Sequence, residues 1–116
     1  MYSFSIIMVI ITLSQIVEDK ISLLKELMDH KNNSPQVSST YQTQIDAIKS
    51  IDDYDLQKVE SIILQKKELL VISRDIQGTE KLLAQIDALE WLQVQIVVMT
   101  LGFSNNNNGS TRALGI

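Results

Sequence analysis

The sequence predicts an all-α protein: an antiparallel helical bundle or long helical hairpin of three to four helices with coiled-coil-like packing. Apolar residues recur every three or four positions along most of its 116 residues, which is the spacing of one helix face. Aromatic residues make up only 5% of the chain, and the other apolar residues are mainly Ile, Leu and Val, which suit thin packing between helices. The length predicts one domain, which we place at residues 1–103.

The first helix has the clearest apolar stripe. Its members follow steps of three and four: Ile10, Leu13, Val17, Ile21, Leu24 and Met28. Turn-forming residues at 32–35 (Asn-Asn-Ser-Pro) should end this helix near residue 30. Residues 1–12 are compatible with a helix, a strand or a membrane anchor, because the run at 6–11 (Ile-Ile-Met-Val-Ile-Ile) is apolar and largely β-branched.

A loop is expected near residues 31–40, with residues 36–40 inside it. Ser39, followed three residues later by Gln42, fits a capping box and would start the second helix. That helix then carries Ile45, Ile48 and Ile51 on one face.

Two further breaks are expected, at residues 52–55 and 77–79. The first holds three aspartates, whose carboxylates suit either a new helix N-terminus or a solvated kink. An amphipathic pattern then runs from Leu56 to Ile76. The second break holds Gly78 and Thr79, the residue types of a left-handed cap and a following N-cap.

The last helix shows a seam of apolar residues spaced by seven: Leu82, Leu89, Ile96 and Phe103. A seven-residue spacing is typical of helices that cross at shallow angles. Gly102 and the Asn-rich segment after it should end the helix, so we expect residues 104–116 to form a flexible tail.

The charged side chains lie almost entirely in the middle of the chain. Only Arg112 falls outside residues 18–90, so both ends of the helical region are uncharged and apolar. Because a large exposed apolar patch usually marks an interface, we expect these ends to be covered by protein. The net charge is −4 and no basic cluster exceeds Lys66 and Lys67, which disfavours nucleic-acid binding.

The alternative cover for the N-terminal segment is a membrane. The segment is shorter than the roughly 20 apolar residues of a membrane span, and no Lys or Arg precedes it as in a signal peptide. A buried protein segment is therefore the favoured interpretation, and a small membrane-associated protein is the alternative.

The sequence offers no candidate catalytic, cofactor-binding or metal-binding residue. The chain has no cysteine, and its one histidine, His30, sits at a predicted helix end, where a surface role is usual. The acidic group at 52–55 fails the calcium-loop pattern, because Lys58 stands where the loop starting at Asp53 needs glycine. We therefore predict a protein that is not an enzyme and needs no cofactor.

Residues 51–76 resemble a known family. An acidic start at 52–55, an amphipathic helix, and the segment Lys66-Lys67-Glu68-Leu69-Leu70 are similar to the second helix of flagellar export chaperones of the FlgN/FliT type. The resemblance implies a cytoplasmic helical bundle that holds an amphipathic segment of an export substrate.

The sequence as a whole predicts a cytoplasmic, non-catalytic helical module for protein–protein interaction, such as a small chaperone, adaptor or assembly subunit. Its partner would be a protein with an amphipathic helix, or a second copy of the chain in a homo-oligomer. The residues predicted to contact the partner are the apolar ones near both ends: Ile7, Ile10, Ile11, Leu82, Leu89, Trp91, Ile96, Met99 and Phe103.

Overall fold

The computed structural model describes the backbone of residues 2–108 and the side chains of residues 10–101. Over these residues the chain forms four α-helices and no strand, which confirms the predicted all-α class. In chain order the helices are α1 (Tyr2–Met28), α2 (Pro35–Lys49), α3 (Leu56–Ile72) and α4 (Ile76–Asn108). They pack into a bundle in which the chain runs alternately up and down.

Helix α4 is the central element of the bundle. It packs against each of the other three described helices, whereas α3 packs against α4 alone and α1 packs against α2 and α4. A helix of 33 residues is about 50 Å long. Since the longest dimension of the molecule is 48 Å, α4 spans its full length.

The core is aliphatic throughout the described residues, and no polar or charged side chain is buried there. Its least exposed large side chains come from all four helices: Leu13, Ile45, Ile48, Val59, Leu89 and Leu92. Three of the four seam positions in α4 have described side chains. Of these, Leu89 and Ile96 are buried and Leu82 is half-buried, so the seam faces the inside of the bundle.

The uncertain N-terminal segment is helical. Residues 2–12 continue α1 without a break, so the β-branched run is not a strand here. At its other end α1 stops at Met28, where the side-chain amide of Asn33 donates to the backbone carbonyls of Leu27 and Met28. These bonds satisfy carbonyls that the helix end leaves free.

Helix α2 begins five residues earlier than the capping-box prediction, so the expected loop at 36–40 and the expected Ser39 cap are wrong. Ser34 is the N-cap: its Oγ accepts a hydrogen bond from the backbone N–H of Val37 at 3.2 Å. Pro35 occupies the first helical position, where its fixed φ fits the helix and its missing N–H costs nothing. The proline therefore starts this helix.

The break near residues 52–55 is present. The Asp55 side chain caps α3 by accepting from the N–H of Gln57 at 3.0 Å, as one of the two sequence interpretations expected. Tyr54 has a φ of 53°, in the left-handed region that non-glycine residues rarely adopt. Its half-buried side chain packs against the core together with the buried Ile51, which holds the loop in place.

The break expected at 77–79 lies instead at residues 73–75. Helix α4 starts at Ile76, and Asp75 Oδ2 accepts a hydrogen bond from Gly78 N at 2.9 Å in the manner of an N-cap. A Cβ at Gly78 would come within 3.2 Å of that carboxylate oxygen, so the missing side chain makes room for the cap.

The C-terminal end of α4 also differs from the prediction. Gly102 lies inside the helix, and residues 104–108 continue it to Asn108 rather than forming a flexible tail. A single glycine costs a helix about 1 kcal/mol relative to alanine, which a long helix tolerates. Residues 109–116 lie outside the described part of the chain.

Replacing a central core residue should destabilise the bundle strongly. Leu89 is 0% exposed, so Leu89→Ala should lower the free energy of unfolding by about 2–5 kcal/mol through lost burial and a cavity. Leu64→Ala is the matched control, because Leu64 is 59% exposed, and it should cost less than about 1 kcal/mol. Urea denaturation followed by circular dichroism measures both; equal costs would contradict this core.

The start of α2 can be tested with two serines. Ser34→Ala should lower the free energy of unfolding by about 1 kcal/mol, because it removes the N-cap bond to Val37. Ser39→Ala should be neutral or slightly stabilising, since Ser39 is exposed within the helix and alanine is the better helix former. If Ser39→Ala lowered the free energy of unfolding more than Ser34→Ala in the same urea titration, Ser39 would be the cap instead.

Candidate interaction surface

The two long helices extend past the two short ones at one end of the bundle. Lys20 Nζ lies 5.2 Å from the centre of the Trp91 ring, which sets the level of α1 against α4. Ile10 and Leu101 each lie ten residues beyond that pair, in the same direction, and therefore about 15 Å further along their helices.

Helix α2 stops short of that level, and the start of α3 lies at or short of it. Helix α2 runs parallel to α4, because successive turns of both helices from Gln36 and Glu80 onward line one shallow groove. The hydrogen bond from Gln36 to Glu80, at 2.6 Å, then places the last residue of α2, Lys49, level with Gln93. Contacts of Lys66 with Gln85 and of Lys67 with Glu90 place the start of α3 between positions 95 and 101 of α4. Residues 2–12 of α1 and 99–108 of α4 thus project as a two-helix overhang of about 15 Å.

The edge of the core on α1 is abrupt. Ile10 and Leu13 lie on the same apolar stripe of the helix, three residues apart. Leu13 is 1% exposed and Ile10 is 45% exposed, although the helical period places both on one face of α1. Ile10 is therefore a core-type residue that lacks a covering helix.

The outer side of α4 becomes apolar toward the same end. Val94, Val98 and Leu101 follow steps of four and three, so they share one face. Their exposed fractions are 53%, 58% and 45%. Ile11, at 57%, adds an exposed side chain from α1. We call Ile10, Ile11, Val94, Val98 and Leu101 the open end of the bundle.

The predicted partner-contact residues whose side chains are described fall into three groups by exposure. Leu89 and Ile96 are buried in the core, so they have no surface to offer a partner in this fold. Three further residues are half-buried: Leu82, Trp91 and Met99. Ile10 and Ile11 are exposed at the open end. Ile7 lies in α1 and Phe103 in α4, but their side chains lie outside the described ones.

Sequence reasoning missed Val94, Val98 and Leu101. Their spacing is helical, so a signal for them existed. The seven-residue seam on the opposite side of α4 accounted for the apolar residues of that helix first, and these three were left without an assignment. The available signal was a second set of apolar residues at helical spacing on the side of α4 opposite the seam, which the core did not need.

Trp91 marks the boundary between the core and the charged surface. Its half-buried ring packs against the core cluster, and the Lys20 ammonium sits over it in cation–π geometry. Such a contact contributes about 0.5–1 kcal/mol at a partly exposed site. Trp91 therefore has a structural role in joining α1 to α4.

A second group of exposed apolar residues surrounds the α3–α4 turn: Leu69, Val71, Ile72 and Ile76. Its setting differs from that of the open end, because the turn itself carries the exposed charges of Arg74 and Asp75. At the open end, residues 2–17 of α1 and 91–108 of α4 contain no Lys, Arg, Asp or Glu.

Polar groups in the described residues have structural partners of an ordinary kind. His30 is exposed, and its Nδ1 accepts from the backbone N–H of Asn32 at 3.2 Å. Asp53 pairs with Lys58 at 3.9 Å, with both side chains about half exposed. No group of three or more His, Asp or Glu side chains that could hold a metal ion occurs in the described part of the chain.

Comparison of the chain with known proteins identifies no relative. No protein-family model, curated protein or solved structure matches the chain. The resemblance of residues 51–76 to flagellar export chaperones therefore stays a prediction.

One helix in the described part of the chain is long and apolar enough to cross a membrane by length and composition. It is α4 over Ile76–Leu101, with a mean hydropathy of 1.3 in its most apolar window. One third of that window is buried inside the bundle, and the central helix of a soluble protein meets the same criteria.

Proposed function

We propose that this protein is a cytoplasmic, non-catalytic helical interaction module, of the kind that serves as a small chaperone, adaptor or assembly subunit. Its working surface is the open end, which buries its apolar side chains against helices of another protein molecule. The contact would follow the helix-in-groove mode, in which apolar side chains spaced by three and four residues serve as anchors.

The observation that supports this proposal most directly is the exposure of Ile10. Its stripe is buried at Leu13, Val17 and Leu24, whereas Ile10 itself is 45% exposed. Full burial of an aliphatic side chain is worth about 1.5–3 kcal/mol. A partner that covers several such positions would gain free energy of the size that drives association.

The chemistry of the overhang supports a protein partner with an apolar face. Residues 2–17 and 91–108 contain no Lys, Arg, Asp or Glu, so charge pairing has no part in the contact. Affinity must come from apolar burial and shape, and it should persist at high salt.

Membrane association is the second candidate, because α4 meets the length and composition criteria for a span. The overhang is about half the thickness of the roughly 30 Å hydrocarbon layer, so insertion would be partial. The loop at its base carries Asp52, Asp53 and Asp55, which anionic lipid headgroups would repel. Release of the protein from a cell membrane fraction by detergent but not by salt would favour this candidate.

A photo-crosslinking residue at position 98 tests the proposal in cells. Val98 is 58% exposed on the outer face of α4, so the bundle should tolerate the change. Irradiation should give a covalent adduct between the chain and a protein, because a partner helix would lie within contact distance. Gel mobility and mass spectrometry of the adduct measure the outcome.

The matched control carries the same residue at Glu26, an exposed charged position on α1 near the opposite end of the bundle. We expect no comparable adduct there. Labelling of lipid alone at position 98 would replace the proposal by membrane association. Equal labelling at both positions, or no adduct at position 98, would contradict it.

A further inference from the structure

We infer that residues 64–83, the tip of the hairpin formed by α3 and α4, are a flap that opens as one unit while the rest of the bundle stays folded. The flap lies at the end of the bundle opposite to the open end, and it does not depend on the proposed function. Proteins open locally in cooperative units, and the units with few buried apolar contacts open most readily.

The core stops short of the flap. Its members nearest to the α3–α4 turn are Ile63 on α3 and Ile86 on α4. No residue from 64 to 83 is buried. Leu70 is half-buried and is the residue of the flap that packs against the core. The closed position of the flap therefore depends chiefly on the burial of Leu70.

Other apolar residues of the flap face water. Residues 69–72 are Leu-Leu-Val-Ile, so this turn of α3 is apolar on every side of the helix. Only one side can pack against a single neighbour, and α3 packs against α4 alone. Val71 and Ile72 are accordingly 85% and 70% exposed. Most of the apolar surface in this turn gives the closed flap no stabilisation.

Helix α2 does not fill the space beside the flap. An open groove of about 680 Å³ lies between residues 35–43 of α2 and residues 76–84 of α4. The hydrogen bond from Gln36 to Glu80 joins the two helices here through exposed side chains. Water competes for both of these groups, so the net contribution of the bond to the closed flap is small.

The other hairpin at this end of the bundle is held more firmly. Residues 25–44 of α1 and α2 also include no buried side chain. Asn33 and Ser38, however, both donate side-chain hydrogen bonds to the backbone carbonyl of Met28, which joins α1 to α2 across the turn. Tyr41 packs against the core, and α1 and α2 each pack against α4 as well as against each other. The flap is therefore the weaker of the two hairpins.

Opening of the flap gives the bundle a second form with different surfaces. The open form presents residues 69–72 on all sides, together with the side of Ile86 on which the core ends. A ligand that binds this form better than the closed one shifts the population toward it. The flap is thus the element of the fold through which binding would change the shape of the bundle.

Hydrogen exchange of the purified full chain, measured by NMR at each backbone amide, tests the inference. Amides of residues 68–72 and 80–83 lie inside α3 and α4. Their protection factors should nevertheless be at least about 100-fold lower than those of residues 88–96, which exchange only when the core unfolds. The values in the two helices should agree within about threefold, as a single opening unit requires.

Leu70→Ala distinguishes one cooperative flap from independent fraying of two helix ends. The protection factors of residues 80–83 on α4 should fall about tenfold, as much as those of residues 68–72 on α3, because Leu70 holds both in place. Leu69→Ala is the matched control: Leu69 is 50% exposed, and its effect should stay below about threefold. An effect of Leu70→Ala that is confined to α3 overturns the inference.

Ile96→Val distinguishes opening of the flap from unfolding of the whole chain. Ile96 is buried in the part of the core that stays folded when the flap opens. The change should lower the protection factors of residues 88–96 by roughly two- to tenfold and leave those of residues 68–72 unchanged. An equal fall in both sets overturns the inference, as do equal protection factors for the two sets in the wild-type chain.

Discussion

The lengths of the four helices do not match, and the uncovered end of the bundle follows from that mismatch. Helices α1 and α4 contain 27 and 33 residues, whereas α2 and α3 contain 15 and 17. A bundle core needs a neighbour on each inner face, so its burial ends where the shorter helices end. The apolar stripe of a long helix follows its own sequence period and continues beyond that point, as Ile10 does beyond Leu13.

The short helices cannot simply lengthen to cover the overhang, because the C-terminal end of α2 and the N-terminal end of α3 are fixed by the loop that joins them. The loop between them is held by the buried Ile51, by the packing of Tyr54 against the core and by the Asp55 cap on α3. The positive φ of Tyr54 further commits the chain to a tight reversal at this level. Such a residue persists only where its surroundings impose the conformation. The overhang is thus a fixed feature of the fold.

The sequence predicted which residues form helices and which form the inner seam, because both depend on local period. It could not predict whether a stripe would be covered within the chain or by another molecule, since that depends on where the neighbouring helix ends. Leu89 and Ile96 show the consequence: they were expected at a partner surface, and the bundle itself buries them. Val98 shows the converse: it is exposed, but it was not predicted at a surface, because the prediction followed the seven-residue seam of α4.

The helix ends were predicted less well than the helices, for a similar reason. Ser34 and Ser39 both have the chemistry of an N-cap, and Pro35 at the first helical position decides between them. Gly78 and Gly102 are residues that end helices elsewhere, yet both lie within α4. Gly78 lies in the first turn, where its backbone N–H donates to the Asp75 cap, and Gly102 costs a helix of 33 residues only about 1 kcal/mol. A local signal of that size does not decide where a long helix ends.

The outer face of α4 gives the clearest physical argument for contact at the open end. Glu80, Asp87, Val94 and Leu101 are seven residues apart and all exposed, so one helix face changes from charged to apolar along its length. Helix propensity does not explain the change, because valine is a poorer helix former than glutamate. Burial within the chain does not explain it either, since Val94 is 53% exposed. What distinguishes the two halves is their position: the charged half lies beside α2, and the apolar half begins level with the last residue of α2 and leads to the overhang. An apolar face that begins where a neighbouring helix ends is what a surface covered by another molecule requires.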